Sequence, residues 1–164
     1  MRRPVIGIMG AAAPTPGSCA AAEKLGRLVA ERGWIVLTGG EPAGVMAAAC
    51  AGAKQVAGSL TLGILPGMSG GAGPDVDVAV FSGMGDARNA INVLSSDIIV
   101  ACGVEGPGTT SEVALAIKAG KPVILLGASP AARAFFGSIG GWQPAADPDE
   151  AVRLIERELE GRSR

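Results

Sequence analysis

The chain has 164 residues, 48% of them hydrophobic and 18% charged, the make-up of one ordered domain able to bury a real core. A formal net charge of -1 argues against a nucleic-acid partner held through phosphate contacts, and 3% aromatic residues without tyrosine leave no base-stacking platform. Histidine is absent, which removes histidine triads, bases and metal ligands, and Cys19, Cys50 and Cys102 are too few and too scattered for a disulfide framework or a zinc site, so a cytoplasmic location is expected.

Val5–Met9 reads as a first strand, too brief for a signal-peptide core or a membrane span, so no membrane partner is expected. Gly10–Gly17 is a loop, and Ser18 caps a helix from Cys19 to about Arg32. Trp34–Thr38 is strand two and Gly39-Gly40-Glu41-Pro42 a turn. Gly44–Val56 is a small-residue helix and Leu60–Leu65 strand three. Pro66–Pro74 is a long glycine-rich loop, followed by strand four over Val76–Phe81. A helix over Ala87–Leu94 leads to the strand Asp97–Ala101, and Thr110–Ala119 is the next helix, stopped by Gly120. Pro122–Leu126 is strand six, Ala131–Phe136 a short helix, and Asp149–Glu160 an amphipathic terminal helix with Val152, Ile155 and Leu159 at core spacing.

Nearly all-apolar strands alternating with helices predict a parallel sheet covered on both faces. The expected fold is α/β: a single doubly wound Rossmann-like domain over residues 1–164, with a mainly parallel sheet of about six to seven strands. In such sheets ligands lie beyond the carboxyl ends of the strands, where three glycine-rich loops fall: Gly10–Gly17, Gly39–Gly44 and Gly103–Gly108.

The dinucleotide fingerprint and the Walker loop are both missing. The junction Gly103-Val-Glu-Gly-Pro-Gly-Thr-Thr-Ser-Glu112 lies between an apolar strand and a helix start, where free amides and the helix dipole favour an oxyanion. Thr109 and Thr110 add hydroxyl donors there. Thr109-x-x-Glu112 also fits a capping box, so Glu112 is either a cap or a ligand contact. Arg88 opens a helix against its dipole and so calls for an anion: Glu112, Asp86 or a ligand phosphate. Asn89 and Asn92 either bond a ligand edge or pack locally. Asp75 and Asp77 read as solvated, and Cys102 as a small buried thiol.

Thr38-Gly-Gly-x-x-x-Gly-Val-Met46, Gly63-Ile-Leu-Pro66, Ala87-Arg88 and Gly106-x-Gly-Thr-x-x-Glu112, in that order, resemble the "lonely guy" superfamily over about residues 4 to 127. Within it, Ala87-Arg-Asn-Ala-Ile-Asn-Val-Leu-Ser-Ser96 and the stretch Gly106–Gly127 are similar to molybdenum cofactor carrier proteins. The resemblance implies a Rossmann-like homodimer or homotetramer holding molybdenum cofactor as cargo, with transient contacts to molybdoenzymes or cofactor-synthesis proteins. The metal arrives already chelated by the cofactor, so no protein metal ligand is expected. Motifs and loops together give Gly10, Thr38, Gly39, Gly40, Gly44, Met46, Arg88, Asn89, Gly106, Pro107, Gly108, Thr109, Thr110 and Glu112 as binding residues for this phosphate-bearing small molecule.

The phosphoribohydrolase branch of the superfamily cleaves nucleoside 5′-monophosphates. Under that alternative the ligand is a nucleoside monophosphate, and Arg88 and Glu112 are catalytic. Val104 and Glu105 replace that branch's Pro-Gly start, Asn89 its lysine and Ser111 its first glutamate, which favours carriage over hydrolysis. A non-catalytic nucleotide sensor is a third alternative. Ala-rich helices such as Gly44–Val56 and Val113–Ala119 fit either a subunit interface or the monomer core.

Overall fold

The computed structural model describes residues 2–162; Met1, Ser163 and Arg164, the ends of the expected 1–164 span, lie outside it. The elements run β1 (Val5–Met9), α1 (Pro16–Glu31), β2 (Ile35–Thr38), α2 (Gly44–Lys54), β3 (Leu60–Leu65) and β4 (Val78–Phe81). A 3-10 turn over Gly85–Ala87 leads into α3 (Arg88–Ser95), then β5 (Ile98–Cys102), α4 (Pro107–Lys118), β6 (Val123–Leu126), α5 (Pro130–Gly137), β7 (Gln143–Ala145) and α6 (Pro148–Arg162).

The seven strands of the described residues form one parallel sheet in the order β4-β3-β2-β1-β5-β6-β7. The chain winds outward from β1 to β4, returns to the other side of β1 with β5, and winds outward again. The order therefore reverses between β1 and β5, whose registers pair Ile6 with Ile98 and Met9 with Ala101. That reversal opens a crevice at the carboxyl ends of these two strands.

Strand alternation builds two cores. Ile6, Ile8, Ile98 and Val100 meet Leu25 and Val29 of α1, Val45 and Ala49 of α2, and Val152 and Ile155 of α6 on one face. Met9, Ile99 and Ala101 meet Val93 of α3, Val113 and Ala116 of α4, and Phe136 of α5 on the other. The expected two-sided parallel sheet is thus present.

Several boundaries move. Helix α1 begins at Pro16 and is capped by Thr15, whose Oγ1 accepts from the Ser18 amide at 3.4 Å, so Ser18 lies inside the first turn. Helix α4 begins at Pro107 and not Thr110, because proline suits the first helical position. Strand β4 begins at Val78, after Asp77 has bonded across to Thr61. The Asp77 carboxylate accepts from the Thr61 amide at 2.9 Å and pairs with Lys54, so it is engaged and not merely solvated. Strand β7, three residues with Pro144 at its centre, fits the sheet edge where a missing amide is tolerated.

The small-residue face of α2 is consumed within the chain. A Cβ on Gly26 would overlap the Ala49 carbonyl, and one on Gly52 the Glu23 carbonyl, so α1 and α2 meet backbone to backbone. Gly52→Leu is therefore expected to cost on the order of 3 kcal/mol in urea denaturation. Gly17→Ala, on the open first turn of α1 with no atom within 4 Å of the new methyl, is expected to leave stability unchanged or raise it by about 0.5 kcal/mol. Equal behaviour of the two variants would contradict the close helix contact.

Candidate functional site

A cleft of about 350 Å³ lies at the reversal between β1 and β5. Its walls are the loops that follow β1, β2 and β5, with the starts of α3 and α4. Gly10 seats the first loop on α2, since a Cβ there would come within 2.5 Å of the Val45 side chain.

The loop after β5 turns at Gly103, which has φ +59. It then folds Glu105 back onto the first turn of α1. The Glu105 carboxylate accepts from the Thr15 amide at 2.7 Å, the Thr15 hydroxyl at 3.0 Å and the Ser18 hydroxyl at 2.7 Å. The Ser18 hydrogen bond, then that from the Thr15 amide, holds this carboxyl below its usual range. The start of α1 is therefore filled by the protein's own anion.

The start of α4 is not. Its first intrahelical bond runs from the Thr110 amide to the Gly106 carbonyl at 3.0 Å, so the amides of Gly108 and Thr109 precede the ladder. Beyond the adjoining backbone, no atom lies within 4 Å of where a Cβ of Gly106 or Gly108 would stand, so the crest is bare. Thr109 lines the cleft, is 2% exposed, and its Oγ1 has no hydrogen-bond partner. Thr110 turns inward instead, its hydroxyl donating to the Gly106 carbonyl at 2.9 Å.

Arg88 is a strut. Its Nη1 donates to the carbonyls of Gly39 at 2.6 Å and Ile64 at 2.7 Å, and its Nη2 to Glu41 Oε2 at 2.8 Å. Its ion-pair partner is thus Glu41, and neither Glu112 nor Asp86. Residue 39 is glycine because a Cβ there would overlap the guanidinium. Met46 packs beside it on the same wall.

Glu112 is not a cap. Thr109 is already helical, and the Glu112 carboxylate accepts from Asn92 Nδ2 at 2.8 Å, 7% exposed. Burial pushes this carboxyl above its usual range, against the opposing effects of Asn92 and Arg88. Asn89 lines the cleft and donates to Ser111 Oγ at 2.9 Å, pinning the first turn of α3 to that of α4.

The structure thus brings Gly10, Gly39, Met46, Arg88, Asn89, Gly106, Pro107, Gly108, Thr109 and Glu112 to one cleft. Thr38, Gly40, Gly44 and Thr110 do not line it. Thr38 is fully buried and accepts from the Gly40 amide at 3.0 Å; Gly40 lies against Gly63; Gly44 lies against the carbonyls of Ala11 and Ala12. These three shape the wall from behind. Sequence reading missed Ala11–Ala13, Glu41 and Glu105 as lining residues, and named Asp86 only as a partner for Arg88. The adjacency of Glu41 to Gly39-Gly40 was the available signal. Cys102 is buried behind the loop with its thiol pushed up to about 12, as the packing reading expected.

Because Glu112 holds its proton more tightly when folded, stability falls as pH rises from the usual carboxyl value through the raised one. Thermal melts between pH 4.5 and 8 are expected to show this decline for the native chain. In Glu112→Gln, which keeps an acceptor for Asn92 but no charge, the decline should be shallower and stability at pH 7 at least equal. A steeper loss in the glutamine variant would contradict the buried carboxyl.

The comparisons with known proteins agree with this architecture. A family model described as the SLOG cluster4 family matches residues 3–152. The molybdenum cofactor binding protein of the phototrophic bacterium Rippkaea orientalis is 45% identical, covering 97% of this chain and 99% of that one, with a TM-score of 0.91. The molybdenum cofactor carrier protein of Chlamydomonas reinhardtii is also 45% identical, with 97% and 99% covered and a TM-score of 0.90. An uncharacterised protein of Archaeoglobus fulgidus is 40% identical over 121 residues, 74% of this chain and 78% of its own. With the family model spanning most of its length, and likeness to molybdenum cofactor carriers extending nearly end to end, the chain belongs to the SLOG cluster4 family.

Proposed function

We propose that this protein binds molybdenum cofactor as cargo and holds or delivers it. The observation that carries the reading is the open first turn of α4: bare glycines, free amides and an orphaned Thr109 hydroxyl around one cleft. A terminal phosphate would accept from the amides of this turn, and from Thr109 once its hydroxyl rotates toward the cleft. The cleft volume, about 350 Å³, suits a small cofactor with one flat fused ring. Relatives named for this cofactor at 45% identity support the same ligand.

In this reading Gly106, Pro107, Gly108 and Thr109 hold the phosphate, and Gly10, Gly39 and Met46 form the slot wall. Arg88 lends positive charge from its clamped position, and Asn89 and Glu112 fix the helix starts. We place the protein in the cytoplasm, with transient contacts to molybdoenzymes or cofactor-synthesis proteins. Free Cys19, Cys50 and Cys102 support a reducing compartment. A homodimer or homotetramer is part of the proposal. Exposed Leu94 on α3, and not the face of α2 spent on α1, supports it.

Protein purified without oxygen is expected to retain, or take up, pterin and molybdenum at about one per chain, read by metal analysis and by fluorescence of the oxidised pterin. No retention and no uptake would refute the carrier. Release of free base from a nucleoside monophosphate would move the assignment to hydrolysis.

Two variants separate folding from binding. Gly108→Ala meets no protein atom and favours the helix, so stability should hold or rise by about 0.5–1 kcal/mol. Thr109→Val removes a buried unpaired hydroxyl and should stabilise by about 1 kcal/mol. Both should bind the cofactor at least tenfold more weakly in titrations. Unchanged affinity in both would remove the cradle from the site.

A further inference from the structure

The charge lining this cleft is unusual for a site that takes an anion. Arg88 faces four carboxylates, those of Glu41, Asp86, Glu105 and Glu112. Three of them are accounted for. Glu41 accepts from Arg88, both Glu105 oxygens accept from Thr15 and Ser18, and Glu112 is buried and accepts from Asn92. The Asp86 carboxylate, exposed on the 3-10 turn, has no hydrogen bond or ion pair among the described residues.

The position of Asp86 is fixed relative to the cradle. Its turn is tied to the end of β3 by the Gly85 amide, which donates to the Pro66 carbonyl at 3.0 Å. The turn runs directly into α3, whose Asn89 bonds Ser111 on the first turn of α4. The free carboxylate and the open amides therefore line one cleft from two adjacent helix starts. The orphaned Thr109 hydroxyl, 98% buried on that same lining, is independent evidence that a guest completes the site.

A carboxylate with both oxygens free, beside a bound phosphate, repels further negative charge and welcomes N–H donors. Two parallel donors satisfy it best, as in bidentate guanidinium–carboxylate pairs. A 2-amino-4-oxopyrimidine ring presents such a fork, its ring N–H beside its exocyclic amino group. Pterin and guanine share that edge. Hypoxanthine has the ring N–H alone, and adenine sets a ring acceptor beside its amino group.

We propose that Asp86 reads the ring of the cargo, accepting the paired N–H donors of a 2-amino-4-oxopyrimidine and so selecting pterin- and guanine-type rings. The proposal rests on the carrier reading for the phosphate at α4. An aspartate at this point also favours the start of α3 through the helix dipole, but that effect is blind to which ring is bound.

Calorimetric titration with guanosine, inosine and adenosine 5′-monophosphates tests it, because guanosine and inosine monophosphates differ only in the 2-amino group. The native chain is expected to bind guanosine monophosphate at least tenfold more tightly than inosine monophosphate, with adenosine monophosphate weaker still. In Asp86→Asn the guanosine and inosine ligands should fall within about twofold of each other, the larger loss falling on guanosine monophosphate. Equal binding of these two ligands by the native chain, a preference that survives in Asp86→Asn, or no binding of any of the three overturns the assignment. The carrier reading is judged separately: a native chain that retains molybdenum cofactor while failing this test loses only the role of Asp86.

Discussion

Two helices begin beside the reversal between β1 and β5, and the protein fills only one of them. The Glu105 carboxylate sits on the first turn of α1, held by Thr15 and Ser18. An anion there meets oriented amides and the positive end of the helix dipole, a favourable contact of about 0.3–1 kcal/mol. Its larger effect is geometric. Gly106 follows Glu105 directly, in an extended conformation, and delivers Pro107 into the first helical position of α4. Anchoring the carboxylate on one helix therefore sets where the next begins and leaves its amides uncovered. The chain supplies one anion for two helix starts, and the uncovered start of α4 is where the proposed phosphate would sit.

Arg88 holds the opposite wall by related means. A guanidinium at 12% exposure needs its donors satisfied, and two carbonyls and Glu41 take three of the hydrogen bonds. Because those carbonyls belong to the ends of β2 and β3, one side chain fixes two neighbouring strand ends. Glu41 offsets part of the charge, while Glu112 is driven toward its neutral form by burial. Counting formal charges around the cleft is therefore misleading. Its character is bipolar, with amides at α4 and an unpaired carboxylate on the turn before α3.

The fold was legible because parallel strands buried on both faces are almost wholly apolar: Val5–Met9 and Ile98–Cys102 need no partner to declare themselves. Strand β7 carried no such signal, being three residues with a central proline. The candidate cleft was legible as loops, because glycines mark close backbone approach, but not as contacts. Arg88 finds Glu41 across 47 positions, Glu105 finds Thr15 across 90, and Asn92 finds Glu112 across 20. No spacing rule reaches that far; the order of strands in the sheet makes those choices. The Thr109-x-x-Glu112 pattern shows the same limit. A capping box requires Thr109 outside the helix, and Pro107 had already started it.

The orphaned Thr109 hydroxyl and the buried Glu112 carboxyl sit three residues apart on α4, on neighbouring turns of one face. Each lowers the stability of the unbound chain, the hydroxyl by about 1–3 kcal/mol if left unpaired. The close α1–α2 packing and the two apolar layers keep the sheet rigid enough to hold that turn in place regardless. In the proposed carrier, a phosphate seated on this turn lies beside the hydroxyl the fold leaves unpaired. Under that proposal, part of the binding free energy would be the recovery of a cost the fold already carries. Under the same proposal, site and instability are one feature: a substitution that relieves the buried polar cost also removes part of what would attract the guest.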